Sequence, residues 1–246
     1  MENNIFSSSA TYHDVPASAV PKTFLASVFS YMTAALAITG IVAYVVGGLN
    51  NGKLMYDMFI TADGAISPLW WVVVFAPLGL SMLMAFAFNR LSSVAMLGIY
   101  ILYSVLMGLS MGSIFLIYSM GSIISVFFIT SGTFAVMAFI GYTTKTDLTK
   151  MGSLLMMALI GLCIASLVTF LIPGENPMVT FGINVLGVVI FCGLTAYDMQ
   201  KLKYIGAEVS AGSEQASKMA IMGALALYLD FINLFLFLLR LFGSRE

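Results

Sequence analysis

The run LSSVAMLGIYILYSVLMGLSMGSIFLIYSMGSIISVFFITSGTFAVMAFIGYTT, from Leu91 to Thr144, contains no Asp, Glu, Lys or Arg. A stretch this long without charge offers no side to water. A helix needs roughly 20 apolar residues to cross the hydrocarbon layer of a bilayer, so the run accommodates two crossings and a tight turn, placed at Tyr118–Ser122. The rest of the 246-residue chain has the same character: 61% of it is hydrophobic and 9% charged, with a mean hydropathy of +1.03. Soluble domains do not hide that much apolar surface. The fold class is an all-α integral membrane protein, a bundle of seven transmembrane helices. A net charge of −1 and the lack of any basic stripe exclude a nucleic-acid partner.

Outward from this run, residues 1–22 form a polar arm with Pro16 and Pro21, residues 23–242 the transmembrane domain, and residues 243–246 a short tail. The first span is placed at Phe24–Val46. Ala35-Leu36-Ala37 resembles a signal-peptide cleavage site, but the apolar run continues past it and only one Lys precedes it, so it is kept as a helix. Gly47 to Ser67 reads as a long loop rich in turn formers. Pro68 opens the second span, with Trp70 and Trp71 as interface anchors, and Asn89 and Arg90 close it. The fifth span covers Met151–Ile172 and stops at Pro173-Gly174-Glu175-Asn176-Pro177. The sixth covers Met178–Met199, a polar loop with Lys201, Lys203, Glu208, Glu214 and Lys218 follows, and the seventh covers Met219–Leu239.

Seven basic residues (Lys22, Arg90, Lys145, Lys150, Lys201, Lys203 and Lys218) fall on the N-terminal side of this arrangement, against Lys53, Arg240 and Arg245 on the other. The positive-inside rule then places the N-terminus in the cytoplasm and the C-terminus across the membrane. Cys163 and Cys192 fall within spans and read as small packing residues. The single histidine, His13, lies in the arm, so neither a zinc site nor a tightly bound cofactor is expected. Gly108-xxx-Gly112 reads as a close helix-packing motif.

The informative residues are carboxylates that do not belong in hydrocarbon, where an ionised Asp costs on the order of 2.5 to 3.5 kcal/mol at mid-span. Asp198 sits near the end of the sixth span, where an ordinary interfacial position is an open alternative. Asp230 lies twelve residues from Lys218, roughly 18 Å along a helix, beyond the reach of so short a side chain to the surface. Asn233 and Arg240 fall within about 80° of Asp230 at helical spacing and give that helix a polar stripe. Arg240 is about 15 Å away along the axis, too far for direct neutralisation. A proton, a cation, Asp198 sharing a proton, or Arg90 remain as candidates.

Ala196-Tyr197-Asp198-Met199-Gln200-Lys201-Leu202-Lys203 and the run from Ala224 to Arg240, with Tyr228-Leu229-Asp230-Phe231-Ile232-Asn233 at its centre, resemble the paired signatures of the Bax inhibitor-1 (transmembrane Bax inhibitor motif) family. Tyr31 to Gly40 is similar to the family's opening helix. The resemblance covers roughly Thr23 to Phe242. It implies seven helices with the seventh at the centre, and a pH-sensitive calcium leak in an inner (plasma) membrane. It implies that Asp198 and Asp230 act as pH sensor, gate and weak transit site for Ca²⁺, and that Arg90 acts as a latch. Tyr197, Tyr228, Asn233 and Arg240 are supporting polar residues of that pore. Some members carry an acid in the second helix; Pro68 to Phe88 has none, a departure that bears against a calcium site dependent on that acid. Asp198 also reads as nearer the cytoplasmic surface than Asp230, so the two meet only if the seventh helix begins outside the hydrocarbon or the sixth is tilted.

Physically, like charges at contact distance cannot both ionise cheaply, so two such carboxylates share a proton, or on ionisation repel or recruit a cation. Hard divalent cations take oxygen ligands, which suits Ca²⁺ to an ionised pair completed by carbonyls and water. The bilayer, Ca²⁺, protons and other membrane proteins are the expected partners. Two alternatives stand beside the channel. One is a regulator that binds other membrane proteins, such as a membrane protease, without transport. The other is an intramembrane aspartyl protease, disfavoured because Asp230 follows Leu227-Tyr228-Leu229 rather than Gly-x-Gly and has no Pro-Ala-Leu after it; no enzyme is expected.

Overall fold

The computed structural model describes residues 22–171, 176–210 and 212–245. The arm up to Pro21, with His13, and most of the Pro173–Pro177 break lie outside them. Among the described residues seven helices are long and apolar enough to cross a membrane. With one short helix they are α1 (Lys22–Ala43), α2 (Lys53–Phe59), α3 (Pro68–Phe86), α4 (Ser93–Met111), α5 (Met120–Thr143), α6 (Thr149–Leu171), α7 (Pro177–Glu208) and α8 (Glu214–Phe242). Among the described residues there is no β-strand, only the isolated bridges Ile60–Ile66 and Tyr118–Arg245.

Local chemistry sets several helix starts. Ser67, Ser92 and Ser213 each accept a hydrogen bond from a backbone N–H of the first turn of α3, α4 and α8, and Pro68 and Pro177 stand at first-turn positions that need no N–H donor. The centre of the bundle is α8. Of its apolar window 72% is buried inside the molecule, against 11% to 33% for the other six. α1, α4, α5 and α7 all pack on α8 and shield it.

The expected Gly47–Ser67 loop is not all loop. α1 runs into a wide π-helical turn at Tyr44–Gly48 and a tight turn at Leu49–Gly52. Asn50, Asn51 and Gly52 take left-handed φ angles of 51°, 53° and 69°, a conformation that Asn and Gly tolerate better than other residues. The chain reverses there, and α2 follows with Met55 and Phe59 buried. The ring of Phe59 meets Trp70 edge to face at 5.2 Å, so Trp70 is a packing residue while Trp71 points outward.

The glycine motif behaves as expected. A side chain at Gly108 would strike Val42 and Thr39 of α1, and Gly47 and Gly112 bring their backbones into contact. Gly141 does the same for α5 against the carbonyl of Ala196 in α7. Both cysteines are free thiols, Cys163 exposed and Cys192 half-buried.

The sixth and seventh spans also run further than Met178–Met199 and Met219–Leu239. α7 extends to Glu208 and α8 begins at Glu214, leaving only Val209–Ser213 to connect them. Residues 200–208 and 214–218 are largely polar but contain no proline, and Gly206 is the one weak helix former among them, so the helices run on past their apolar stretches without unwinding. Asp198 therefore lies ten residues inside α7 rather than near its end.

Candidate functional site

Gly223, Asp230 and Phe237 repeat every seven residues on α8, which at 3.6 residues per turn keeps them on one face. That face is turned to α7: Gly223 abuts Leu202, and Phe237 abuts Gly187 and stacks on Phe191 at 5.8 Å. These contacts fix the antiparallel register. Asp230 stands opposite Leu194–Thr195, one helical turn, about 5.4 Å along the axis, from Asp198. Asp198, one turn before Leu202, faces the same seam. Both carboxylates thus lie between the last two helices, Asp198 nearer the α7–α8 connection. α7 continues to Glu208 and α8 begins at Glu214, so the two aspartates are offset by one turn along a pair of long, paired helices.

Asp230 is 5% exposed, and its Oδ2 is buried without a hydrogen-bond partner among the described residues. Thr195, across the seam, gives its hydroxyl proton to its own helix at the carbonyl of Phe191. The charged neighbour acting on Asp230 is Asp198, and the one acting on Asp198 is Lys201, on the next turn of α7. A buried polar atom without a partner in the protein calls for a proton, a water or an ion.

The remaining residues singled out above are placed differently. Arg90 is exposed and lines a cavity of about 580 Å³ with Glu214 and Lys218, where the α3–α4 connection meets the start of α8. Glu214 Oε1 accepts there from the N–H of Ser93 at 3.3 Å. Asp230 is sixteen residues further along α8, roughly 24 Å away, so Arg90 and Asp230 are not brought together. Asn233 donates to the carbonyl of Leu229 at 2.8 Å. Arg240 is exposed, its guanidinium 5.7 Å from the Phe237 ring centre. Neither extends the seam as a polar track. Tyr197 is half-buried with its ring against Gly152.

Among the described residues no group of three or more His, Cys, Asp or Glu side chains could hold a metal ion. Two carboxylates alone offer a divalent cation a partial oxygen shell that carbonyls and water would have to complete.

The family model described as "Inhibitor of apoptosis-promoting Bax1" matches residues 21–246, nearly the whole chain and both aspartate helices. The chain belongs to the Bax inhibitor-1 family. It is 41% identical to the inner membrane protein YbhL of Escherichia coli over 226 residues, covering 92% of this chain and 93% of that one. A protein of Borreliella burgdorferi is 42% identical over 223 residues, 91% and 92% of the two chains. One of Caulobacter vibrioides is 37% identical over 237 residues, 95% and 93%.

Two polar features of this Bax inhibitor-1 family member were missed from its sequence. Gln200, 2% exposed, clasps the α5–α6 connection: its Nε2 donates to the carbonyl of Thr146 at 2.8 Å, and its Oε1 accepts from the N–H of Leu148 at 2.9 Å. On the side of α8 away from the seam, Tyr228 and Thr39 share a hydroxyl hydrogen bond of 2.8 Å, and the Thr39 hydroxyl lies 2.9 Å from the carbonyl of Ser104. Tyr100 and Tyr103 pack on the Tyr228 ring, at 6.3 and 5.6 Å between centres, and the Tyr100 hydroxyl is buried without a hydrogen-bond partner among the described residues. Tyr228 and Asp230, two residues apart, face opposite sides of α8. An inspection of helical angles could have found that separation, but not the partners.

Proposed function

We propose that this protein is a pH-sensitive cation leak channel of the inner (plasma) membrane, with Ca²⁺ as a permeant ion and the Asp198–Asp230 pair as its gate. The observation that carries this reading is the seam itself: two carboxylates one turn apart between α7 and α8, with Asp230 Oδ2 lacking a hydrogen-bond partner among the described residues. Sharing one proton lets the two helices stay in contact. Ionising both places like charges in a low-dielectric interface, which either separates the helices or draws in a cation. The permeant ion therefore meets oxygen ligands at the point where protonation decides whether the seam is closed. The inner-membrane assignment follows the name of the Escherichia coli relative, and the seven-to-three distribution of basic residues puts the N-terminus in the cytoplasm. Function is transport rather than catalysis in this reading, and Arg90 serves as a latch only in a conformation that brings it nearer Asp198.

The test is calcium flux into dye-loaded liposomes between about pH 5 and 8, for wild type, Asp198→Asn, Asp230→Asn and the double variant. Each single variant should flatten the pH profile, and the double should add little, because coupled residues are not additive. Four proteins with one rate and one profile would refute the channel reading. Reporter fusions at the termini test orientation, with the N-terminal reporter expected inside and the C-terminal one outside.

A further inference from the structure

α1 and α5 each pack on α8 but not broadly on each other. Between them lies a cavity of about 910 Å³ whose floor is Met199 of α7 and Phe231 of α8, the residues that follow the two aspartates. It runs from Leu25 to Ile41 along α1, about 24 Å. Its walls are almost wholly apolar; Thr33, Ser131 and Tyr142 are the lining residues with a side-chain hydroxyl, and Ser131 donates its own to the Phe127 carbonyl. Such a space offers water too few partners to hold it. At hydrocarbon depth its filler is apolar.

The size of the cavity selects the filler. A transmembrane helix about 10 Å across and 24 Å long occupies on the order of 1,900 Å³, more than the groove holds. An acyl chain is one carbon wide and about half of the 30 Å hydrocarbon thickness long, and fits. One end of the groove carries charge. Lys203, 7% exposed, holds its Nζ 5.7 Å from the ring centre of the groove-lining Tyr142, and exposed Lys145 follows three residues later, in the connection just past the end of α5. The acid nearest in sequence, Asp147, is engaged by Thr149.

We propose that the groove between α1 and α5 is a binding site for one acyl chain of an anionic phospholipid, its phosphate lying at the Lys203–Lys145 end. The site is independent of ion leak, and binding alone tests it. A Cβ at Gly40 on the groove wall meets nothing within 4 Å, so Gly40→Trp brings an indole to the groove without a clash at the backbone; Ala135→Phe obstructs it from the opposite wall. Gly161→Trp is the control, at an equally open position on α6, away from the groove.

Purified protein is loaded with phosphatidylglycerol or phosphatidylcholine, released from detergent, and weighed intact by native mass spectrometry. Wild type and Gly161→Trp should retain one lipid. Gly40→Trp and Ala135→Phe should retain it about tenfold less, a loss equivalent to about 1.4 kcal/mol, while melting with wild type. Lys203→Gln should bind both lipids but lose the preference for phosphatidylglycerol. Retention unchanged in both groove variants, an equal loss in Gly161→Trp, an intact headgroup preference in Lys203→Gln, or a bound polypeptide in place of lipid would each overturn the proposal.

Discussion

Replacing Gln200 by Ala tests how the last helices are tied to the rest of the bundle. The wild-type side chain is buried and makes two hydrogen bonds across more than fifty residues of sequence, to Thr146 and Leu148. Each such bond contributes about 1 kcal/mol net. The exposed Thr146 carbonyl recovers part of its bond from water, whereas the half-buried Leu148 N–H recovers less. The vacated space costs roughly another 1 kcal/mol. The sum is about 2 to 3 kcal/mol, or roughly 5 to 10 °C in melting temperature for a chain of this length. Gln200→Glu separates the two bonds. It keeps the acceptor for Leu148 but sets a carboxylate oxygen against the Thr146 carbonyl, so it should be at least as damaging near neutral pH. It should recover at acid pH, where a protonated carboxyl donates to that carbonyl again. Thermal unfolding in detergent micelles gives the stability, and hydrogen exchange at the Leu148 amide gives the local effect. A Gln200→Ala protein that melts within about 1 °C of wild type, with unchanged Leu148 exchange, would refute the clasp.

Gly141→Ala places a methyl group into the Ala196 carbonyl and should destabilise by about 1 to 3 kcal/mol, whereas Gly132→Ala, on the same helix with nothing within 4 Å, should be neutral or stabilising; a common assay of thermal melting compares them. Tyr228→Phe removes the bond to Thr39 and should cost about 1 kcal/mol. Thr39→Val should cost more, because it also removes the bond to the Ser104 carbonyl, and the double variant little more than Thr39→Val, because both changes remove the shared bond; additive losses would mean the bond is not shared. At the start of α6, hydrogen bonds from the Thr149 hydroxyl and then its N–H hold the Asp147 carboxyl below the usual carboxylate range. A folded value below the unfolded one means this stabilisation is complete above about pH 4 and lost as pH falls through the lowered value. Asp147→Asn should keep the helix cap while abolishing that acid-side dependence, as measured by melting temperature between about pH 2 and 6.

The membrane-spanning architecture was legible in the amino-acid sequence because it follows from local quantities. Apolar runs of sufficient length, Pro68 and the uncharged run from Leu91 to Thr144 are properties of neighbouring residues, and the bilayer turns them into helices wherever backbone polar groups must be satisfied internally. The buried position of Asp230 was legible for the same reason, being a matter of depth along one helix. Helix ends were less so: α7 and α8 continue past the apolar layer because the lipid boundary stops hydrophobicity, not hydrogen bonding. The Gly223–Asp230–Phe237 repeat was present in the sequence, but it became a statement about Asp198 only once Leu202 and Gly187 fixed the register of α7 against α8. Gln200, the Tyr228–Thr39 bond and the groove between α1 and α5 belong to the tertiary structure alone. Each depends on side chains from helices far apart in sequence meeting at one depth and one rotation. Inside a bilayer, where water does not compete for partners, packing among helices decides that meeting, and no single helix encodes it.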